Sequence, residues 1–294
     1  MLDAHSFSYA SPDQNPFQQF FIRLVEKLTG QIRIWRLYHE YTQENPATRD
    51  DFWNASLRKL DLGITYNTDG LDSIPQTGPV VVVANHPYGV LDGLIITHLI
   101  KKVRSDFRVL TNSVLCQAPE AQNELLPIDF SQTEEALKIN LQTRKQARQI
   151  LKDGGCIVVF PAGGVSTIPT WKDKVAQDTA WQPFIARLIQ EAQADVVPLF
   201  FEGQNSRLFQ LVSLCSPTLR LSLFFKEVAD KIGTHIGVVI GKPLSFETLR
   251  PIRDREALCH HLREQTYALG GMTTLPPPKP AYRSNPYKKE TSRY

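Results

Sequence analysis

The chain is 294 residues long and 42% hydrophobic, with 33 basic and 30 acidic residues giving a formal charge of +3. That length and apolar content support a substantial buried core in one large α/β domain or two small ones, and the charge balance is too mild for a dedicated nucleic-acid binder. Four cysteines at 116, 156, 215 and 259 are too scattered for a zinc cluster or a disulfide framework, so reduced thiols in a cytoplasmic setting are expected.

Residues 1–15 carry Asp3 and Asp13 and lack the basic start and apolar stretch of a signal peptide. No window holds the ~20 apolar residues of a spanning helix, so a membrane would be met only at its surface, on its inner face. Residues 17–42 set Phe17, Phe20, Phe21, Leu24, Val25, Leu28, Ile32, Trp35 and Tyr38 at helical spacing, with Arg23, Lys27, Arg33 and Arg36 between them and Gly30 as an interruption. A helix docked on its own domain and a basic amphipathic helix on a membrane both fit this pattern. Residues 50–60 read as a further helix, 62–67 as a strand and 72–78 as a turn.

The run Val80, Val81, Val82, Val83 within 79–84 predicts a strand covered on both faces, hence central in a largely parallel sheet. Residues 156–160, 196–201 and 236–240 predict further strands. Helical patterns occupy 93–102, 133–152, 179–194 and 217–231, the last with Ser216 as N-cap and Pro217 as its first residue. Alternating strands and helices predict an α/β fold, with a mostly parallel central sheet flanked by helices and chemistry gathered at the strand ends. From Met272 the chain carries three prolines at 276–278, then Lys279, Arg283, Lys288, Lys289 and Arg293, the composition of a disordered basic tail. The expected organisation is an N-terminal helical segment over 1–60, a main domain over 61–271 and the tail over 272–294.

The strongest chemical signal begins directly after the four-valine strand, at Asn85-His86-Pro87-Tyr88-Gly89-Val90-Leu91-Asp92-Gly93. A histidine at the end of a central strand is held firmly, and a carboxylate at the start of the next helix can fold back to fix its tautomer and stabilise the imidazolium. Gly89 and Gly93 would allow the turn that brings them together. The plainer alternative is that Asp92 only caps the helix and His86 satisfies a buried backbone group. A metal site adding His98 is disfavoured, because six residues turn a helix by about 240° and put Asp92 and His98 on different faces. A second loop, Phe160-Pro161-Ala162-Gly163-Gly164-Val165-Ser166, follows another buried strand, and its paired glycines offer backbone N–H groups to an anion or a polarised carbonyl. A third, Phe201 to Arg207, places Glu202, Asn205 and Arg207 beside a strand end, where they form either a plain surface loop or a binding site for a polar head group. The Gly-x-Ser-x-Gly elbow of serine hydrolases does not occur.

Over roughly residues 79–241 the sequence resembles the glycerolipid acyltransferases related to lysophosphatidate acyltransferase. Their first block, Asn-His, four residues, then Asp, corresponds to Asn85, His86 and Asp92; their Phe-Pro-Glu-Gly-Thr-Arg-Ser block to Phe160–Ser166; and their Val-Pro strand to Val197-Pro198. The resemblance implies the glycerol-3-phosphate acyltransferase-like fold and transfer of a fatty acyl group from acyl-CoA or acyl carrier protein to a lyso-lipid hydroxyl, with His86 as general base and no cofactor or metal. It implies a substrate site that includes Asn85, Gly89, Phe160, Pro161, Gly163, Gly164 and Ser166. Lys101, Lys102 and Arg104, just beyond the first helix, form either a contact for an acidic carrier or simply a solvated helix end. The sequence departs from the pattern in two ways. Five residues separate His86 from Asp92, which calls for a bulge at Gly89, and Ala162 and Val165 replace the block's Glu and Arg. That arginine is associated in the family with the acceptor's phosphate. The His-Pro-x-Gly and Phe-Pro-Ala-Gly forms resemble a bacterial subgroup, some of it tied to ornithine-lipid synthesis.

Overall fold

Side chains branched at Cβ favour extended backbone, and a run of them with no polar residue can be buried only if both faces are covered. Val80–Ala84 forms such a strand, and all five residues are buried. The structure, a computed structural model, describes residues 8, 10, 15–46, 49–112, 116, 118–129, 133–272 and 275. Its strands are β1 (Gly63–Tyr66), β2 (Val80–Ala84), β3 (Phe107–Asn112), β4 (Leu125–Ile128), β5 (Cys156–Val159), β6 (Asp195–Phe201) and β7 (His235–Ile240). They form one seven-stranded sheet in the order β1-β7-β6-β2-β5-β3-β4, which puts the valine strand in the middle. Every neighbouring pair is parallel except β6 with β7. The carboxyl ends of β2, β5 and β6 therefore share one edge, so the three loops singled out by sequence leave the sheet side by side.

The helices are α1 (Pro16–Thr29), α2 (Gln31–Gln43), α3 (Phe52–Lys59), α4 (Thr68–Asp72), α5 (Val90–Lys101), α6 (Glu134–Lys152), α7 (Pro183–Ala192), α8 (Arg207–Cys215), α9 (Pro217–Leu221), α10 (Phe224–Asp230), α11 (Phe246–Leu249) and α12 (Arg255–Leu269). Alternation along β2 divides the core. Val80, Val82 and Ala84 pack with Leu91, Ile95 and Trp53 on the side of α3, α5 and α10, and Val81 and Val83 pack with Ala147, Ile185 and Leu262 on the side of α6, α7 and α12. At ~1.5–3 kcal/mol for each large side chain so buried, this two-sided core fixes the register of β2 and with it the position of the residue that follows.

Gly30 does separate α1 from α2, because a Cβ there would come within 2.6 Å of the Phe225 carbonyl on α10. Several segments differ from the sequence expectation. The 217–231 stretch is two short helices, α9 and α10, rather than one, although Ser216 caps it and Pro217 starts it as expected. α7 begins at Pro183 rather than 179, since proline fits the first turn where its missing N–H costs nothing. Strands β3 and β4 fall where no strand was expected: β4 is four residues long, contains Pro127 and lies at the sheet's edge. Helix α12 was also unexpected. The basic tail expected over 272–294 lies, apart from residues 272 and 275, outside the described residues.

Candidate active site

β2 delivers the chain to the sheet edge at Asn85, and that side chain ends the strand by pairing with β6. Its Nδ2 donates to the Phe201 carbonyl at 2.9 Å and its Oδ1 accepts the Phe201 N–H at 2.7 Å. Asn85 is thus a clamp that holds the next residue against the sheet. The loop then turns at Gly89, whose φ of +71° suits glycine, and a Cβ there would come 3.2 Å from both Phe224 and Val165. This is the glycine at which the sequence calls for a bulge.

Asp92 enters from the first turn of α5 and is fully buried. Its Oδ2 accepts the N–H groups of Tyr88 at 2.8 Å and Gly89 at 2.9 Å, and lies 3.0 Å from His86 Nδ1. Helix cap and histidine partner are therefore the same carboxylate. With two amides already on Oδ2, the approach of Nδ1 falls short of a straight hydrogen bond, a looseness common where substrate is absent. Burial pushes the Asp92 carboxyl above the usual range, opposed by the His86 contact and then by the two amides. The His86 ring stacks on Phe160, with centroids 4.0 Å apart. This fixes the imidazole plane and leaves the ring only partly exposed. Tyr88 donates its hydroxyl to the Glu202 carbonyl at 2.9 Å, and burial lifts its pKa to about 12.

The 160–166 loop lies over this histidine. Ser166 N–H donates to the His86 carbonyl at 2.8 Å, and Pro161 accepts the Gln182 N–H through its carbonyl. The Gly163 N–H is committed to the Phe160 carbonyl at 3.0 Å, while no hydrogen bond of the Gly164 N–H occurs among the described residues. Ser166 is buried, with its hydroxyl donating to Asp178 at 2.5 Å. Sequence reasoning missed Asp178. Its Oδ1 accepts the His86 N–H at 3.2 Å as well as the Ser166 hydroxyl, and its Oδ2 accepts the Trp181 indole N–H at 2.9 Å. Its own N–H donates to the Tyr267 hydroxyl of α12 at 2.7 Å. Burial raises the Asp178 pKa, with the Ser166 and Trp181 hydrogen bonds acting against it. Two buried carboxylates therefore grip the histidine, one on its ring and one on its backbone.

The third loop contributes less directly. Glu202 is exposed beside Gly237, where any Cβ would collide with it. Asn205 is buried, and neither polar atom of its amide has a partner among the described residues. Arg207 does not reach toward the histidine: its guanidinium donates to the carbonyls of Asp173 at 2.6 Å and Trp171 at 2.8 Å. Arg104 is likewise not free for a carrier, since it is buried and donates to Asp106 and to the carbonyls of Pro75, Gly78 and Gly154. No group of three His, Cys, Asp or Glu able to hold a metal occurs among the described residues.

Two cavities flank the loop. An apolar one of about 180 Å³ runs from Val90, Gly93 and Phe224, beside Asp92 and Gly89, along α5 between α2 and α3 as far as Trp53 and Thr111. A more polar one of about 440 Å³ is bordered by Asn85, Pro87, Glu202, Gln204 and Tyr267.

The chain is 26% identical to a lyso-glycine lipid O-acyltransferase of Phocaeicola vulgatus over 74% of this chain and 77% of that protein. It is 25% identical to one of Bacteroides thetaiotaomicron over 85% and 90%. Among solved structures it is similar to the 1-acyl-sn-glycerophosphate (LPA) acyltransferase PlsC from Thermotoga maritima, with a TM-score of 0.49 and 15% identity over 92% of this chain and 86% of that one. The acyltransferase family model matches residues 23–273, which hold the valine strand, all three loops and both carboxylates; the chain belongs to that family.

Proposed function

We propose that the protein moves a fatty acyl group from a thioester, on coenzyme A or acyl carrier protein, to a hydroxyl of a lyso-lipid, with His86 as general base. The observation that carries this reading is the 3.0 Å contact of the His86 ring with a fully buried Asp92, whose chain neighbour Gly93 lines an apolar cavity. With Nδ1 turned to Asp92, Nε2 takes the acceptor's proton as its oxygen attacks the thioester carbonyl. The Gly164 N–H steadies the oxyanion, and the imidazolium returns the proton to the departing thiolate. The apolar cavity holds the donor's chain. Glu202 and Gln204, from the loop after β6, border the 440 Å³ cavity that would take the acceptor's head group. Val165 in place of the family's arginine, and Arg207 tied to loop carbonyls, favour an acceptor without a phosphate. The curated relatives named above act on lyso-glycine lipid by name, which makes that lipid the first acceptor to try.

Helix α1 supports attachment to a membrane surface. Phe17, Phe20, Leu24 and Leu28 are exposed, while Ile22 and Glu26 face the protein, so the apolar stripe points outward with Arg23 and Lys27 beside it. No helix among the described residues is long and apolar enough to cross a membrane. The test is acyl transfer from a thioester to lyso-lipid by wild type and His86→Ala. General-base loss predicts a fall of about 10²–10⁴-fold with lipid binding retained. Equal turnover in both proteins would remove His86 from the mechanism. Lipid binding without turnover in wild type would favour a non-catalytic lipid-binding protein, the reading that Ala162 and Val165 support.

A further inference from the structure

We infer that the hairpin 167–177 and the outer side of α8 form a second contact with an anionic lipid surface, beside the active-site loop and separate from α1. The inference rests on the acceptor being a membrane lipid. The hairpin grows directly out of the site: Thr167 and Gln177 exchange backbone hydrogen bonds at 3.1 Å, and the residues just outside that pair are Ser166 and Asp178, which hold His86. Its tip is tied to the start of α8. Arg207 donates to the carbonyls of Trp171 and Asp173, and Gln204 donates to the Lys174 carbonyl at 2.9 Å and accepts the Ala176 N–H at 2.7 Å.

A segment secured in this way nonetheless presents Trp171 at 68% exposure, with Val175, Leu208 and Leu211 also exposed. Fixing a tryptophan in water forgoes the burial of a large apolar surface, and a cluster of this kind marks a contact surface. Its charge names the partner. Lys172, Lys174 and Arg207 are exposed around it, and the Lys172 ammonium lies 5.4 Å from the Trp171 ring centre. The one carboxylate in the tip, Asp173, accepts the Thr170 N–H and hydroxyl at 2.7 and 2.6 Å. An indole among cations is the composition of a protein meeting anionic head groups. Helix α1 repeats it, with Arg23 and Lys27 beside an exposed apolar stripe and Glu26 as its sole acid, buried. α9 touches both α1 and α8, which joins the two surfaces. Contact at the hairpin sets the bilayer next to the loop that covers His86, so a lyso-lipid reaches the imidazole without leaving the interface.

The test uses the full chain with vesicles of phosphatidylcholine and phosphatidylglycerol carrying brominated acyl chains, which quench a tryptophan only where it reaches them. Quenching of wild type and its loss in Trp171→Phe is the expected result. Lys172→Gln should weaken binding to anionic vesicles roughly fivefold and leave neutral vesicles unaffected, and Leu208→Ser should weaken both. Quenching undiminished in Trp171→Phe, or anionic binding unchanged in Lys172→Gln, would overturn the proposal. So would a Trp171 that is quenched by no vesicle but protected by an acidic carrier protein, which would make the surface a protein contact. Turnover of a short-chain acceptor below its micelle concentration separates the two readings: it stays at the wild-type level in these variants, and its absence from wild type would count against the acyltransfer reading alone.

Discussion

Gly93 should improve folding and impair long-chain turnover when it acquires a side chain. It sits in the first turns of α5, one residue after Asp92, and lines the apolar cavity; a Cβ built on it meets nothing within 4 Å. Glycine inside a helix costs about 1 kcal/mol relative to alanine, so Gly93→Ala should raise the melting temperature by ~2–4 °C, as expected for a domain of this size. Next to it, Thr97 donates its hydroxyl to the Gly93 carbonyl at 2.7 Å, which removes a polar group from the same wall. The cavity of about 180 Å³ is slightly larger than the ~150 Å³ that accommodates benzene, so it encloses only a short segment of a fatty chain. A methyl group introduced there displaces about one methylene, worth ~0.8 kcal/mol or about fourfold in kcat/KM. Gly93→Leu, with four added carbons, should cost ~3 kcal/mol, about two-hundredfold, for a chain that fills the space. Donors shorter by about that many carbons should be spared. The assay is kcat/KM over a series of saturated thioesters, alongside thermal unfolding. If the preferred chain length does not move in Gly93→Leu, the cavity is not where the donor's chain lies. If Gly93→Ala melts lower than wild type, the space beside it is not open.

Asp178→Asn keeps an acceptor for Ser166 and His86 but sets amide hydrogens against the Trp181 N–H. A loss of ~1–3 kcal/mol is expected from that one buried mismatch, with kcat falling and KM for the thioester little changed; an unchanged melt and kcat would show that Asp178 does not hold His86 in place. The pH dependence has a definite sign. Burial raises the pKa values of Asp92 and Asp178, so the folded protein keeps these protons at pH values where the unfolded chain, near its usual ~4, has released them. Their contribution to stability is fully present below about pH 4 and is lost as pH rises through the folded pKa values. Urea unfolding of wild type and Asp178→Asn across that range should therefore show a smaller fall with rising pH in the variant, and identical slopes would refute the assignment.

Local chemistry was enough for the centre of this molecule. Four adjacent valines are buried most readily in the middle of a two-sided sheet, and a histidine three residues beyond the last of them, past the strand's end, stands at its edge. Gly89 was legible as the turn between His86 and Asp92, because a φ of +71° is one that glycine takes at no steric cost. The same reasoning failed for β4, where four residues including a proline owe their strand to pairing with β3 rather than to any pattern of their own. Tertiary structure alone decided the roles of Asp178 and Arg207. Asp178 stands 92 residues from the histidine whose N–H it accepts, and no spacing rule connects them. Arg207, positioned by sequence beside a strand end, is drawn to the carbonyls of a hairpin 34 and 36 residues away. Periodicity and turn chemistry act over a few residues and leave their mark in sequence. A buried charge is matched by whichever donors the finished fold brings near it, and that choice is made only when the loops meet over the sheet edge.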